Sequence, residues 1–190
     1  MATETRPLRA DAQLNHDRLL DAAAAAFALD GADASLKAIA KDAGVGIGTL
    51  YRRFPTRENL VEAVYRNEVG RLCDAVPDLL AASPPADALR AWMDRFVEFL
   101  ATRHAMAAAF RSVLVDDGDL RMQTRGLLVD AVAELLAAGA ADGSVRADLD
   151  ADDVLVALAG LALVAGEPRQ QAQAHRLLGL LLDGLRARPA

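Results

Sequence analysis

The sequence predicts an all-α protein of about nine helices, with a small N-terminal three-helix unit and a larger C-terminal helical unit. Three observations predict it. Alanine and leucine supply much of an apolar content of 53%, against only 4% aromatic residues, and both are strong helix formers. No stretch alternates apolar and polar residues within β-branched or aromatic runs, so strand signals are weak. Apolar residues recur at helical spacing, interrupted by Asp-Gly pairs, prolines and Ser, Thr or Asp caps.

Residues 1–12 read as a flexible polar arm carrying Arg6 and Arg9. The first helix spans 15–29, with Leu20, Ala24 and Phe27 on one stripe, and Asp30-Gly31 stops it. Ser35 is a good N-cap for a short helix through Ala43, with Leu36, Ile39, Ala40 and Ala43 facing inward. Gly44 stands where a helix stops and positive φ is needed. Val45 fills the turn. The next short helix ends at Arg53, with Leu50 and Phe54 one turn apart and pointing in. Pro55-Thr56 makes a break, and Thr56 caps a helix to Cys73, with Pro77 just beyond it. Ser83 then caps a helix that has Pro84 at its first position and carries Leu89, Trp92, Met93, Phe96 and Leu100. A shorter helix follows over 105–115, then a turn at Asp116-Asp117-Gly118. A long helix over 120–141 is stopped by Asp142-Gly143. Asp150 caps the next, whose first turn holds Asp152 and Asp153, where the helix dipole favours anions. Gly166-Glu167-Pro168 separates it from a last helix reaching Ala187. The expected domains are an arm over 1–12, a head over 13–60 and a body over 61–190.

Composition narrows the function. Cys73 is the single cysteine, so no internal disulfide forms, which suits a reducing cytoplasm. An idle thiol is the expectation for it, ahead of a redox sensor. Met1–Asn15 lacks the apolar core of a signal peptide. The longest apolar run, Val154–Gly166, is shorter than the ~20 residues that span a bilayer. A cytoplasmic protein off the membrane is expected. His16, His104 and His175 lie far apart, no Ser/His/Asp or Cys/His set stands out, and no Gly-rich phosphate loop follows a strand. Asp116, Asp117 and Asp119 lack the spacing of a calcium loop. Neither an enzyme nor a bound cofactor or metal is expected.

Two short helices joined by a glycine turn over residues 35–54 form the pattern of a helix-turn-helix. Local charge agrees with it. Gly31–Leu60 carries Lys37, Lys41, Arg52, Arg53 and Arg57 against Asp33, Asp42 and Glu58, and both lysines of the chain lie there. From Val61 onward 13 arginines face 19 acids, in a chain of net charge −6. A basic patch on an acidic body is the footprint of a small DNA-reading head.

The residues of this stretch resemble a known family. Ile39-Ala40, then Ala43 through Leu60 with the run Tyr-Arg-Arg-Phe-Pro-Thr-Arg-Glu at 51–58, is similar to the DNA-binding domain of the tetracycline-repressor (TetR) family. The resemblance covers about Leu19–Leu60. It implies that Tyr51 and Arg53 bind phosphate, although His is more usual where Arg53 stands. It also implies that Arg57 replaces a phosphate-clamping lysine. Ser or Thr is usual where this chain has Gly46, so one hydroxyl contact is missing. The resemblance further implies a dimer through the last two helices and a ligand cavity in the body.

Residue chemistry adds detail. Gly46 and Gly48 cost helix stability, roughly 1 kcal/mol each against alanine, and their gain is close backbone approach to DNA. Ile47 suits a thymine methyl, or else ordinary packing. Thr49 reaches a base or a phosphate. Arg52 suits guanine O6 and N7, or a second phosphate. Ser35 and Lys37 sit where backbone is reached, Lys41 reads as solvated, and Arg6 and Arg9 enter a minor groove or do nothing. Affinity resting on arginine–phosphate pairs should be steeply salt-dependent.

In the body, the helix from Val154 and the last helix are apolar nearly all round, so both sides need covering. A second copy covers the outer side, and Gly160, Gly179 and Gly184 allow close crossing. Leu158, Leu161, Leu178, Leu181, Leu182 and Leu185 are the expected interface; a monomer with a central hairpin is the alternative. Trp92, Met93, Phe96, Phe99, Met106 and Phe110, joined by Met122 and Leu128, are core or the lining of an apolar cavity. His104 supplies a polar contact there or caps a helix end. His175 belongs to the interface or the surface. The reading is a homodimeric repressor that binds a palindromic double-stranded operator and is released by a small, mostly apolar effector. A helical dimeric sensor or interaction module, acting as an activator or without ligand control, is the alternative.

Overall fold

The computed structural model describes residues 5–105, 118–164 and 171–187. Among them are eight α-helices: α1 (Thr5–Asp30), α2 (Leu36–Asp42), α3 (Ile47–Arg53), α4 (Arg57–Ala82), α5 (Pro85–Ala105), α6 (Gly118–Asp142), α7 (Ala151–Val164) and α8 (Gln171–Leu185). The all-α expectation holds, with a single isolated antiparallel bridge, Val145 to Arg186, among the described residues. The helix expected over 105–115 lies mostly outside the described residues; only its first residue, Ala105, is described, as the end of α5. The break expected at 166–168 lies outside them entirely. The described residues fall into two compact units, one running up to Asn67 and the other built on Glu68–His104 and the chain from Gly118 onward.

In the first unit, α1 starts at Thr5, well before Asn15. The span expected as a flexible arm is therefore helical from Thr5. Pro7 does not prevent this, because in a first turn its missing N–H has no helical partner to lose. Leu19, Leu20, Ala23 and Phe27 are buried, and α1 packs on α2. Ser35 caps α2, its Oγ accepting from the Ala38 N–H at 3.4 Å. Gly44 closes α2 at φ +71°. The Val45 N–H donates to Ala40 O at 2.9 Å and the Gly44 N–H to Lys41 O at 3.0 Å. These are the two bonds of a Schellman end, which needs a left-handed residue at this position. Thr56 caps α4 as expected, its Oγ1 accepting from the Asn59 N–H at 3.1 Å.

α4 corrects the sequence reading. It runs to Ala82 with Pro77 inside it, whereas the sequence places Pro77 beyond its end. An interior proline costs roughly 3 kcal/mol, because it removes an N–H and crowds the carbonyl four residues earlier, here Cys73. Packing offsets that cost. Leu72 and Val76 are buried, and the Trp92 indole N–H donates to Leu72 O at 3.0 Å. The outward-facing Pro77 ring takes no core space. Ser83 is a second correction. Its hydroxyl donates back to Leu79 O at 3.0 Å, so it finishes α4. The carbonyl of Pro84 accepts the first bonds of α5, from Asp87 and Ala88, and Pro85 takes the first helical position.

The second unit is held by α5, α6, α7 and α8. Trp92, Met93 and Phe96 are buried, and the Trp92 and Phe96 rings stack with centroids 5.4 Å apart. Phe99 lies against Phe96 at 6.2 Å. Leu128 is buried on α6, but Met122 is 71% exposed. Nearly two turns of α6 separate those positions and the helix presents them to different sides, so Met122 does not join the cluster. Asp150 caps α7, accepting from the N–H groups of Asp152 and Asp153 at 2.8 and 3.2 Å. After α6 the Asp142 carboxylate accepts from the Ser144 N–H and hydroxyl at 2.9 and 2.5 Å. Those bonds hold its pKa below the usual carboxylate value. The segment beyond ties down the end of α8: the Arg146 N–H donates to Leu185 O at 3.0 Å and the Ala187 N–H to Ser144 O at 3.2 Å. Nothing in the sequence announced this tether.

The expected interface leucines behave differently from expectation. Leu158, Leu178, Leu182 and Leu185 are buried within the single chain, and Leu161 and Leu181 are half-buried. α7 packs against both α6 and α8, and that packing uses the faces these leucines occupy. The outward faces carry Val156, Gly160, Leu180 and Gly184 instead.

Candidate nucleic-acid interface

α3 has seven residues and one of them is buried, Leu50. Phe54, directly after it, is buried too. These two side chains hold the helix, and everything else on it is exposed. At about 100° per residue, Gly48 and Arg52 lie opposite Leu50, so they head away from the core. Ile47 and Tyr51 flank them on one side, 39% and 48% exposed, with Thr49 and Arg53 on the other. The head therefore gathers Ile47, Gly48, Thr49, Tyr51, Arg52 and Arg53 on one surface.

The two glycines are not required by the fold. Gly46 is the N-cap of α3 with φ −70°, open to any residue, and no side-chain hydrogen bond caps the helix. A Cβ built on Gly46 or on Gly48 meets nothing within 4 Å. Ser35 is exposed at the start of α2 with its Oγ engaged on Ala38, and Lys37 and Lys41 lie on the same helix, both exposed.

Two side chains have neighbours the sequence did not suggest. The His16 ring of α1 stacks on Phe54, centroids 5.9 Å apart, and its Nδ1 is buried without a hydrogen-bond partner. Burial, then the Arg53 charge, hold the His16 pKa below its ordinary value, against a weaker opposite pull from Asp17. The neutral ring is the form this site favours. Arg57 is half-buried and turned into the head. Its Nη2 donates to Ala34 O at 2.5 Å, and its guanidinium carbon lies 5.8 Å from the centre of the Phe27 ring. One-residue-at-a-time reading had no signal for either, since both depend on segments distant in sequence.

Cys73 donates its S–H towards Leu127 O at 3.5 Å. Burial, with Asp74 and Asp130 nearby, pushes its pKa up to about 11, so at neutral pH it is a thiol and a poor nucleophile. His175 pairs with Asp94 of α5 at 3.2 Å, and Arg90 reaches the same carboxylate at 2.8 Å. His104 lies in α5, while Met106 and Phe110 fall outside the described residues. Among the described residues no three His, Cys, Asp or Glu side chains gather as a metal site. Among them, too, no helix is long and apolar enough to cross a membrane.

The family model for bacterial regulatory proteins of the tetR family matches residues 19–64, and that for the C-terminal domain of SbtR-like transcriptional regulators matches residues 84–187. The chain belongs to the TetR family of transcriptional regulators. This TetR-family chain is 32% identical over 147 residues to the HTH-type transcriptional repressor KstR2 of Mycolicibacterium smegmatis, a match covering 72% of this chain and 70% of that protein. Among solved structures, the TetR transcriptional regulator SCO0520 from Streptomyces coelicolor superposes with a TM-score of 0.84 at 52% identity, covering 91% of this chain and 99% of that one. A TetR regulatory protein from Mycobacterium vanbaalenii gives 0.74 at 35% identity, covering 95% and 100%. DNA-binding transcriptional regulation is the activity of this TetR family, and α2 and α3 are its helix-turn-helix.

Proposed function

We propose that the protein is a homodimeric repressor that reads a palindromic operator with α3 and leaves it when a small, mostly apolar effector binds the body. One observation carries the DNA-reading part: a single inward residue, Leu50, leaves the rest of α3 turned outward. Arg52, opposite that anchor, reads guanine in the major groove. Gly46 and Gly48 let the backbone approach closely, Ile47 packs on a thymine methyl, and Thr49 lies at the edge of the contact. Tyr51, Arg53, Ser35 and Lys37 bind phosphates and set the register. The relatives named as repressors favour repression over activation. Domain division at residue 60, with the body beyond it, accompanies this reading, as does a cytoplasmic location.

The test is selection of bound duplexes from a random-sequence pool. A palindromic consensus is expected. On that consensus, Arg52→Ala should lose preference at one position in each half-site, costing about 1–3 kcal/mol. Tyr51→Phe should weaken all sequences alike. Uniform loss with Arg52→Ala would make Arg52 a phosphate contact instead. A failure to enrich any duplex would end the DNA-reading proposal.

A second copy covers the outward faces of α7 and α8. Leu180 is 68% exposed and Val156 53% exposed, beside Gly160 and Gly184, which permit close crossing. Two-fold pairing places two heads on one face of DNA. Leu180→Arg should give a monomer by light scattering at micromolar concentration with unchanged circular dichroism. A variant that remains a dimer would move the interface elsewhere. The effector site is placed around Trp92, Met93, Phe96 and Leu128. An effector that lowers operator affinity about 100-fold must prefer the released state by about 2.7 kcal/mol.

A further inference from the structure

We infer that Arg57 is a positioning residue of the head: it locks the start of α2 to the start of α4 and so sets how α2 and α3 meet DNA, without itself gripping a phosphate. The inference rests on the DNA-reading role proposed above. Arg57 is the first residue of α4, just behind the Thr56 cap. A cation at a helix N-terminus opposes the helix dipole, so something nearby must compensate it. Its guanidinium finds that compensation inside the head. Nη2 donates to the Ala34 carbonyl at 2.5 Å, and the positive group faces the Phe27 ring at 5.8 Å. Nη1 is buried and has no acceptor.

The two partners matter for where they lie. Ala34 is fully buried and immediately precedes Ser35, the cap of α2. Phe27 is fully buried on α1. One guanidinium therefore joins α1, the junction before α2, and α4. Swinging it outward to a phosphate would leave the buried Ala34 carbonyl without this donor and would break the ring contact. A buried acceptor stripped of its donor carries the full desolvation cost. Lysine is a poor substitute, since a point ammonium lacks the planar fork that serves a carbonyl and a ring face together.

The experiment uses the full-length protein and two probes, the duplex enriched by wild-type selection and a scrambled duplex of equal length. Wild type, Arg57→Ala and Arg57→Lys are titrated over a salt series at a temperature where circular dichroism shows each folded. A positioning residue predicts about a tenfold or larger fall in the ratio of selected to scrambled affinity for Arg57→Ala. It also predicts a salt slope on scrambled duplex equal to that of wild type, and only partial recovery by Arg57→Lys. A phosphate contact predicts equal loss on both probes, a slope lower by about one, and full recovery by lysine; that result overturns the inference. An unchanged ratio with lowered thermal stability alone also overturns it, as a purely structural role. If Arg57→Ala does not fold, Arg57→Lys decides: wild-type ratio and affinity reject the inference, and a reduced ratio supports it. Failure of the wild-type protein to enrich any duplex is a separate result, which removes the DNA-reading proposal beneath it.

Discussion

Gly139→Ala should destabilise the protein by about 2 kcal/mol, the range expected for overpacking a well-filled core. A Cβ on Gly139 would collide with Val145 Cγ2 and sit 2.8 Å from Val145 Cβ. Neither side has room to yield. Val145 is buried, its N–H donates to Gly139 O at 2.9 Å, and the next residue is bonded to Leu185 O. The opposing effect is helix propensity, which favours alanine by about 1 kcal/mol in a helix interior. The clash outweighs it, because relieving the clash means moving the tether of α8. Gly126→Ala on the same helix is the control. Its Cβ meets nothing within 4 Å, so it should stabilise by up to about 1 kcal/mol. Urea unfolding at a fixed protein concentration measures both. A Gly139→Ala variant as stable as wild type would refute the packing argument. Adding Val145→Ala should restore only part of the loss, since Val145 Cβ remains within 2.8 Å.

Leu50→Ala should abolish operator binding and destabilise the head by about 2–5 kcal/mol. Leu50 is fully buried and is the one buried residue of α3. A seven-residue helix has no stability of its own in water, so its persistence depends on that anchor and on Phe54 beyond it. Arg52→Ala removes a charge from the opposite face and should leave the helix intact. The pair separates folding from reading. Leu50→Ala should lose binding together with head stability, whereas Arg52→Ala keeps the circular dichroism spectrum and loses sequence preference. Retention of affinity by Leu50→Ala would show that α3 is held by something other than its core side chain.

Much of the head is legible in the sequence because its signals are local. Ser35 and Thr56 cap the helices they precede. Among the described residues, the glycines with positive φ are Gly31, Gly44 and Gly143, each at a helix stop. Each is a requirement satisfied within a few residues of chain, so residue type reveals it. The outward set on α3 follows from the same logic, since helical spacing alone separates Leu50 from Gly48 and Arg52. The body is less legible. Leucines on an all-apolar helix carry no mark of which side faces a neighbour, so Leu158 and Leu178 are expected outside and lie inside, while Leu180 lies outside.

The sequence by itself determined the helical class, the position of the helix-turn-helix, its caps and turn, and the side chains offered on α3. Caps, turns and helical faces depend on neighbours within about one turn of helix. Tertiary structure alone decided that α4 passes through Pro77, since the compensation comes from Leu72, Val76 and the Trp92 indole. It also decided that Arg57 turns to Ala34 and Phe27, that His16 lies on Phe54, and that Gly139 has no room for a methyl group. Each of these depends on atoms brought together from distant parts of the chain, and a local propensity yields to such packing when the burial and hydrogen bonds gained exceed its cost of about 1 to 3 kcal/mol.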